Sequence, residues 1–222
     1  MTVADRINHF NVSLSIASEL PEGVEVMNPY LDEEAYRLSA LFYSKFFNDN
    51  NHRTGVFGIN PGRFGAGVTG VPFTDPVKLE NDCGIPNHFE KRGELSSDFV
   101  YRMIHELGGS EAFYSKYFLT AICPLGFVKD GKNMNYYDSA DLLEATEPFI
   151  IETINQQLEI GLDREKAYCL GQGKNMKYFE KINRKHHFFK EIIPLAHPRY
   201  IMQYKRKQLN DYLAQYRIAL KG

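Results

Sequence analysis

Tryptophan is absent from this 222-residue chain, cysteine occurs three times, and charge of either sign is in little excess, the formal net charge being −2. No apolar run is long enough to span a bilayer. The stretch Val12 to Leu20 is the nearest thing to a leader, but serines and Glu19 interrupt it, so it reads as an amphipathic helix. The chain is therefore expected to stay in the cytosol, off the membrane. Cys83, Cys123 and Cys169 are spaced like neither a zinc site nor a redox pair, and their odd number argues against a disulfide framework. Three thiolates cannot hold a four-cysteine iron–sulfur cluster. His186 and His187 are adjacent and diverge on any regular element, so neither a metal nor any other cofactor is expected. The near-neutral total provides no global field to draw the protein onto a polyanion.

What is present fits one enzyme-sized domain. Apolar residues make up 43% and charged residues 24%, which is ordinary for a globular chain of this length. Helical and strand patterns alternate, as a parallel sheet requires. Helices are expected over 33–48, with Asp32 as N-cap, over 97–107, over 139–160 with a kink at Pro148, after Gly173, and over 203–220. Strands are expected over 54–60, 117–123, 166–170 and 188–196. The fold class is α/β: a three-layer α/β/α sandwich around a central four-stranded, mainly parallel sheet. It forms a single domain over 1–222, with 1–30 as an N-terminal helical extension. Such a fold needs no partner to close its core, so a monomer is expected. Gly171-Gln172-Gly173-Lys174-Asn175 lacks Walker-loop spacing and the dinucleotide fingerprint, and a strand-to-helix turn accounts for it.

The richest segment follows the first strand: Gly58-Ile59-Asn60-Pro61-Gly62, then Phe64-Gly65, then Thr69-Gly70-Val71-Pro72-Phe73. A strand running into Asn-Pro-Gly must turn sharply, which presents Asn60 where open α/β sheets bind ligands. Near the other end, His197-Pro198-Arg199 follows the last predicted strand. The first segment resembles motif one of the single-strand-selective monofunctional uracil-DNA glycosylases (the SMUG family), where Gly-Met-Asn-Pro-Gly leads through Phe-Gly to Thr-Gly-Val-Pro-Phe. His197-Pro198 resembles that family's second motif. Met27-Asn28-Pro29-Tyr30, Ile122-Cys123-Pro124-Leu125 and Gly131-Lys132-Asn133 echo further segments, so the likeness covers roughly residues 25–200.

The resemblance implies hydrolysis of an N-glycosidic bond in DNA. Asn60 would orient the attacking water, and His197 would stabilise the oxyanion of the departing base. Phe73 would stack on that base, Gly62 would leave room beside the pyrimidine C5 position, and Ile59 would offer its backbone N–H. No nucleophilic lysine is implied, so the product would be an abasic site without strand cleavage.

Two departures from the family pattern bear on specificity. Where the family has an Asn two residues before Cys-Pro-Leu to read the base edge, this chain has Ala121, which has no side-chain hydrogen bond to give. Thr120 is nearby, but on a regular strand it faces the other way. After His197, the family's DNA wedge is replaced by Arg199-Tyr200-Ile201-Met202. Arg199 and Lys205 are expected on phosphate, and Tyr200, Ile201 and Met202 as a shorter wedge, with closing-helix packing as the plain alternative. Seven basic residues lie between Arg184 and Lys207 against Glu191 alone, which gives DNA a local attractive face. Two other classes stay open: a module that binds exposed or damaged bases without cleaving, and a hydrolase of free nucleosides.

Overall fold

The computed structural model describes residues 1–221. Helix α1 (Val3–Ser13) starts well before the expected 12–20 helix, because Thr2 and Asp5 form a reciprocal capping box. Its buried Val3, Ala4, Ile7 and Phe10 belong to the main core, and residues 14–20 are not helical, which corrects the expectation for that stretch. Strand β1 (Glu25–Met27) precedes helix α2 (Glu33–Phe46), whose N-cap Asp32 accepts the Ala35 N–H at 2.8 Å. Strand β2 (Arg53–Gly58) then runs into the Asn-Pro-Gly turn and two short helices, α3 (Ala66–Thr69) and α4 (Pro76–Asn81).

Helices α5 (Leu95–Glu106) and α6 (Ser110–Tyr114) lead to β3 (Tyr117–Ala121), followed by β4 (Gly126–Lys129) and β5 (Lys132–Met134). Helix α7 (Ala140–Gly161) contains Pro148 and precedes the longest strand, β6 (Leu162–Leu170). Then come α8 (Lys174–His186), β7 (Glu191–Leu195), α9 (Pro198–Tyr204) and α10 (Leu209–Lys221). A single closing helix over 203–220 was expected. Instead, Pro198 at the first helical position starts α9 early, and Lys205, at φ −124°, ends it before a short 3₁₀ turn.

The main sheet has the order β3-β2-β6-β7 with every neighbouring pair parallel, and helices flank it in an α/β/α sandwich. Pro194 sits in β7, at the edge of the sheet, where a missing N–H costs least. A small antiparallel sheet, β1-β4-β5, lies apart from it in the pairing and was not foreseen. Because the four main strands are parallel, all their carboxyl ends lie at one edge. The chain leaves that edge at Asn60, Ala121, Gly171 and His197, four positions far apart in sequence.

Candidate active site

Asn60 follows β2 by two residues, and its carboxamide is clamped at both ends. Its Nδ2 donates to the Met134 carbonyl at 3.0 Å and to that of Pro61 at 3.3 Å. Its Oδ1 accepts the Tyr136 N–H at 3.2 Å. These partners fix which end of the amide is oxygen. The oxygen keeps a second lone pair, which can accept a proton of water and turn the water's own lone pair toward an electrophile. Tyr136 is itself held, since its hydroxyl donates to Asn175 Oδ1 at 2.8 Å in the buried first turn of α8. Asn133, just upstream, accepts the Arg63 N–H at 3.2 Å and so ties the Asn-Pro-Gly turn to β5.

His197 is the N-cap of α9. Its Nδ1 accepts the Arg199 N–H at 3.2 Å, which leaves the proton of the neutral ring on Nε2. Burial, and then the nearby Arg199 guanidinium, push its pKa down from 6.5 to about 4. Near neutral pH the ring is therefore an uncharged Nε2–H donor, suited to oxygen that gains negative charge in a transition state. Ala196, just before it, is tied to α10 by the Tyr216 hydroxyl.

Phe73 has φ +55°, a left-handed backbone uncommon for a bulky residue. The buried Thr69 hydroxyl holds this loop, donating to the Thr74 carbonyl at 2.6 Å while accepting the Val71 N–H at 3.1 Å. The Phe73 ring lies 6.3 Å from the His197 ring and covers Gly58 so closely that a Cβ there would meet it at 2.6 Å. Gly58 is thus the residue that lets the ring approach the end of β2 closely.

Asn60, Phe73 and His197 line one cavity of about 420 Å³, together with Ile59, Gly62 and Ala121. A Cβ on Gly62 would meet only Asn133 Nδ2, at 3.5 Å, so packing does not require glycine there and its absent side chain leaves the space open. Against this geometry, the family model of the Uracil DNA glycosylase superfamily matches residues 44–221. The chain belongs to that superfamily.

Among solved structures it is similar to wild-type SMUG2 of Pedobacter heparinus, at 45% identity and a TM-score of 0.97, over 100% of this chain and 97% of that one. No curated protein matches. Superfamily membership and this SMUG-like neighbour support a DNA glycosylase activity.

The structure also sorts the remaining expected site residues of this superfamily member. Ala121 ends β3 beside Gly58 and is buried, whereas the Thr120 hydroxyl turns away to donate to Gln157 at 2.6 Å. Arg199 and Tyr200 stand at the cavity on the exposed face of α9. Ile201 and Met202 do not form a wedge: both are buried in the core on the inward face of α9, as helical periodicity from Pro198 demands. Lys205 ends the helix, half-buried, and does not line the cavity.

Sequence reasoning missed Tyr204, 67% exposed, whose ring packs 5.8 Å from that of Tyr200 one turn away. It also missed Glu94, a cavity carboxyl whose pKa burial raises while Ser96 and Arg199 oppose the shift. The spacing of Tyr200 and Tyr204 was a visible signal, whereas nothing local marked Glu94.

Proposed function

We propose that this protein is a monofunctional DNA glycosylase that hydrolyses the N-glycosidic bond of uracil or another deaminated or damaged base in DNA, leaving an abasic site. The observation that carries this reading is the clamped Asn60 carboxamide in the same cavity as a neutral His197 and the strained Phe73. In the proposed reaction the base stacks on Phe73. The glycosidic bond breaks with its electron pair going to the base, and the Nε2–H of His197 hydrogen-bonds the base oxygen as charge builds there. Water held by Asn60 Oδ1 adds to the sugar carbon and loses a proton, which solvent carries to the departed base anion, so the products are the neutral free base and the abasic sugar.

No lysine lines the cavity among the described residues, which favours water over an amine as nucleophile. One stack of a base on an aromatic ring contributes about 1–3 kcal/mol. That is comparable with the few kcal/mol needed to extrude a base from a duplex, so single-stranded or weakly paired targets are favoured. Tyr200 and Tyr204 supply an exposed aromatic surface at the mouth, and Arg199 a cation for phosphate.

The test is a single-turnover assay on labelled oligonucleotides carrying uracil, 5-hydroxymethyluracil, hypoxanthine or xanthine, with and without alkali. Alkali-dependent breakage at any of these bases is expected. Silence across the panel with DNA binding retained would favour a binding module, the reading to which Ala121 lends weight. Breakage without alkali would contradict the monofunctional assignment.

A further inference from the structure

Phe64 lines the cavity from the loop that follows Asn60. Two guanidinium groups lie over its ring, Arg92 with Cζ 3.7 Å from the ring centroid and Arg63 at 4.8 Å. Neither arginine lines the cavity, so both stand outside it, against a ring that forms part of its wall. The two cations are no farther apart than the sum of those distances, about one screening length at physiological salt, and they repel each other. Among the described residues neither is in an ion pair, not even with Glu94, the one carboxyl in the cavity lining. Two gathered, uncompensated cations at the rim of a site call for an anion.

The fold places both of them. The Arg63 N–H is held by Asn133 Oδ1 at 3.2 Å, and its guanidinium reaches the tip of the β4–β5 hairpin, where a Cβ on Gly131 would meet Nη1 at 3.9 Å. Arg92 lies in the connection between α4 and α5, which is anchored on either side of it. Lys91 donates to the Asn87 carbonyl at 2.8 Å, and the Glu94 N–H donates to Asp75 Oδ2 at 2.9 Å. Lys91 also pairs with Glu80, whereas Arg92 is exposed on the Phe64 ring.

A guanidinium presents its donors in a planar fork that matches a phosphate, and the contact is charge-assisted. Stacking on an aromatic ring seats that fork without using its donors. We infer that Arg63 and Arg92, seated on Phe64, grip a backbone phosphate that flanks the target nucleotide. Because Phe64 is both wall to the cavity and seat to the arginines, the phosphate gripped is one close to the base in the cavity. This rests on the glycosylase reading and adds to it a DNA contact built from two loops separate from α9. A strand held there and at Arg199 is fixed at two points of the mouth, which positions its base without reading its sequence.

The test measures affinity for a single-stranded oligonucleotide carrying a tetrahydrofuran abasic analogue, with a neutral methylphosphonate replacing one backbone phosphate at a time. Wild type, Arg92→Gln and the double variant Arg63→Gln/Arg92→Gln are compared, and Tm is read for each. Single-turnover excision of uracil is measured beside them for wild type. On the unmodified strand the double variant should bind about tenfold more weakly, as loss of one charge-assisted contact requires, with Arg92→Gln in between. Its salt slope should fall in magnitude by roughly 0.7 for the phosphate released. Neutralising one flanking phosphate should weaken wild-type binding by a similar factor and leave the double variant unchanged at that position.

A double variant with the methylphosphonate profile and salt slope of wild type would overturn the inference and leave the glycosylase reading intact. Losses of affinity that accompany a fallen Tm and map to no particular phosphate would also overturn it, by making the arginines packing residues. The expected profile in a wild type that excises nothing would support the grip while overturning the proposed function. A wild type that binds no strand at all would overturn both.

Discussion

His197 owes its tautomer to one backbone amide, that of Arg199, and its neutrality to burial beside a guanidinium. The consequence for stability has a definite sign. With a folded pKa of about 4 against an ordinary 6.5, the unfolded chain binds the proton more readily between those values. Stability contributed by the neutral ring is therefore full above about pH 6.5 and declines as pH falls toward 4. Chemical denaturation across that window should show a steeper acid-side loss for wild type than for His197→Asn, and equal slopes would refute the shift. At this scale turn chemistry pointed to Asn60 before its proline, whereas His197 and Phe73 were reached through the family resemblance; all three line one cavity. The sequence was least legible for Glu94 and the clamp on Asn60, because their positions depend on chain segments packed together only in the fold.

Among the elements, the four main strands and the long helices were readable from apolar spacing. The short pieces were not. β1 and β5 have three residues each, too few for a period-two pattern to register. The N-terminal helix was misplaced because its start is set by the Thr2–Asp5 capping box and not by hydrophobic periodicity. Ile201 and Met202 were misassigned to the wedge because α9 begins at Pro198 and turns them inward, while Tyr200 stays exposed.

One connection between elements carries a prediction of its own. The Tyr136 hydroxyl bonds Asn175 in α8, and its N–H holds Asn60 after β2, so the segment following β5 couples two strand ends. Tyr136→Phe should leave Asn175 Oδ1 short of a donor, at a cost of about 1–3 kcal/mol. It should also slow the chemical step, by up to roughly 100-fold if Asn60 drifts by 1 Å. Calorimetry and single-turnover rates read the two effects separately, and an unchanged rate would remove Tyr136 from the account of the clamp.

Across the whole molecule, parallel strand order is what makes a site out of residues 60, 73, 121 and 197. A net charge of −2 leaves attraction to DNA to the local basic surface and the aromatic face of α9, so binding is expected to weaken steeply with salt. The central claim is that Asn60 acts on the chemistry and not on the fold or on DNA capture. The most direct test is the single-turnover excision rate of Asn60→Ala on a uracil-containing single strand, measured beside its affinity for the abasic-analogue strand. The rate should fall by roughly 100-fold or more, as loss of a positioned reactant requires, while affinity stays within a few-fold of wild type. Excision at the wild-type rate by Asn60→Ala would contradict the account.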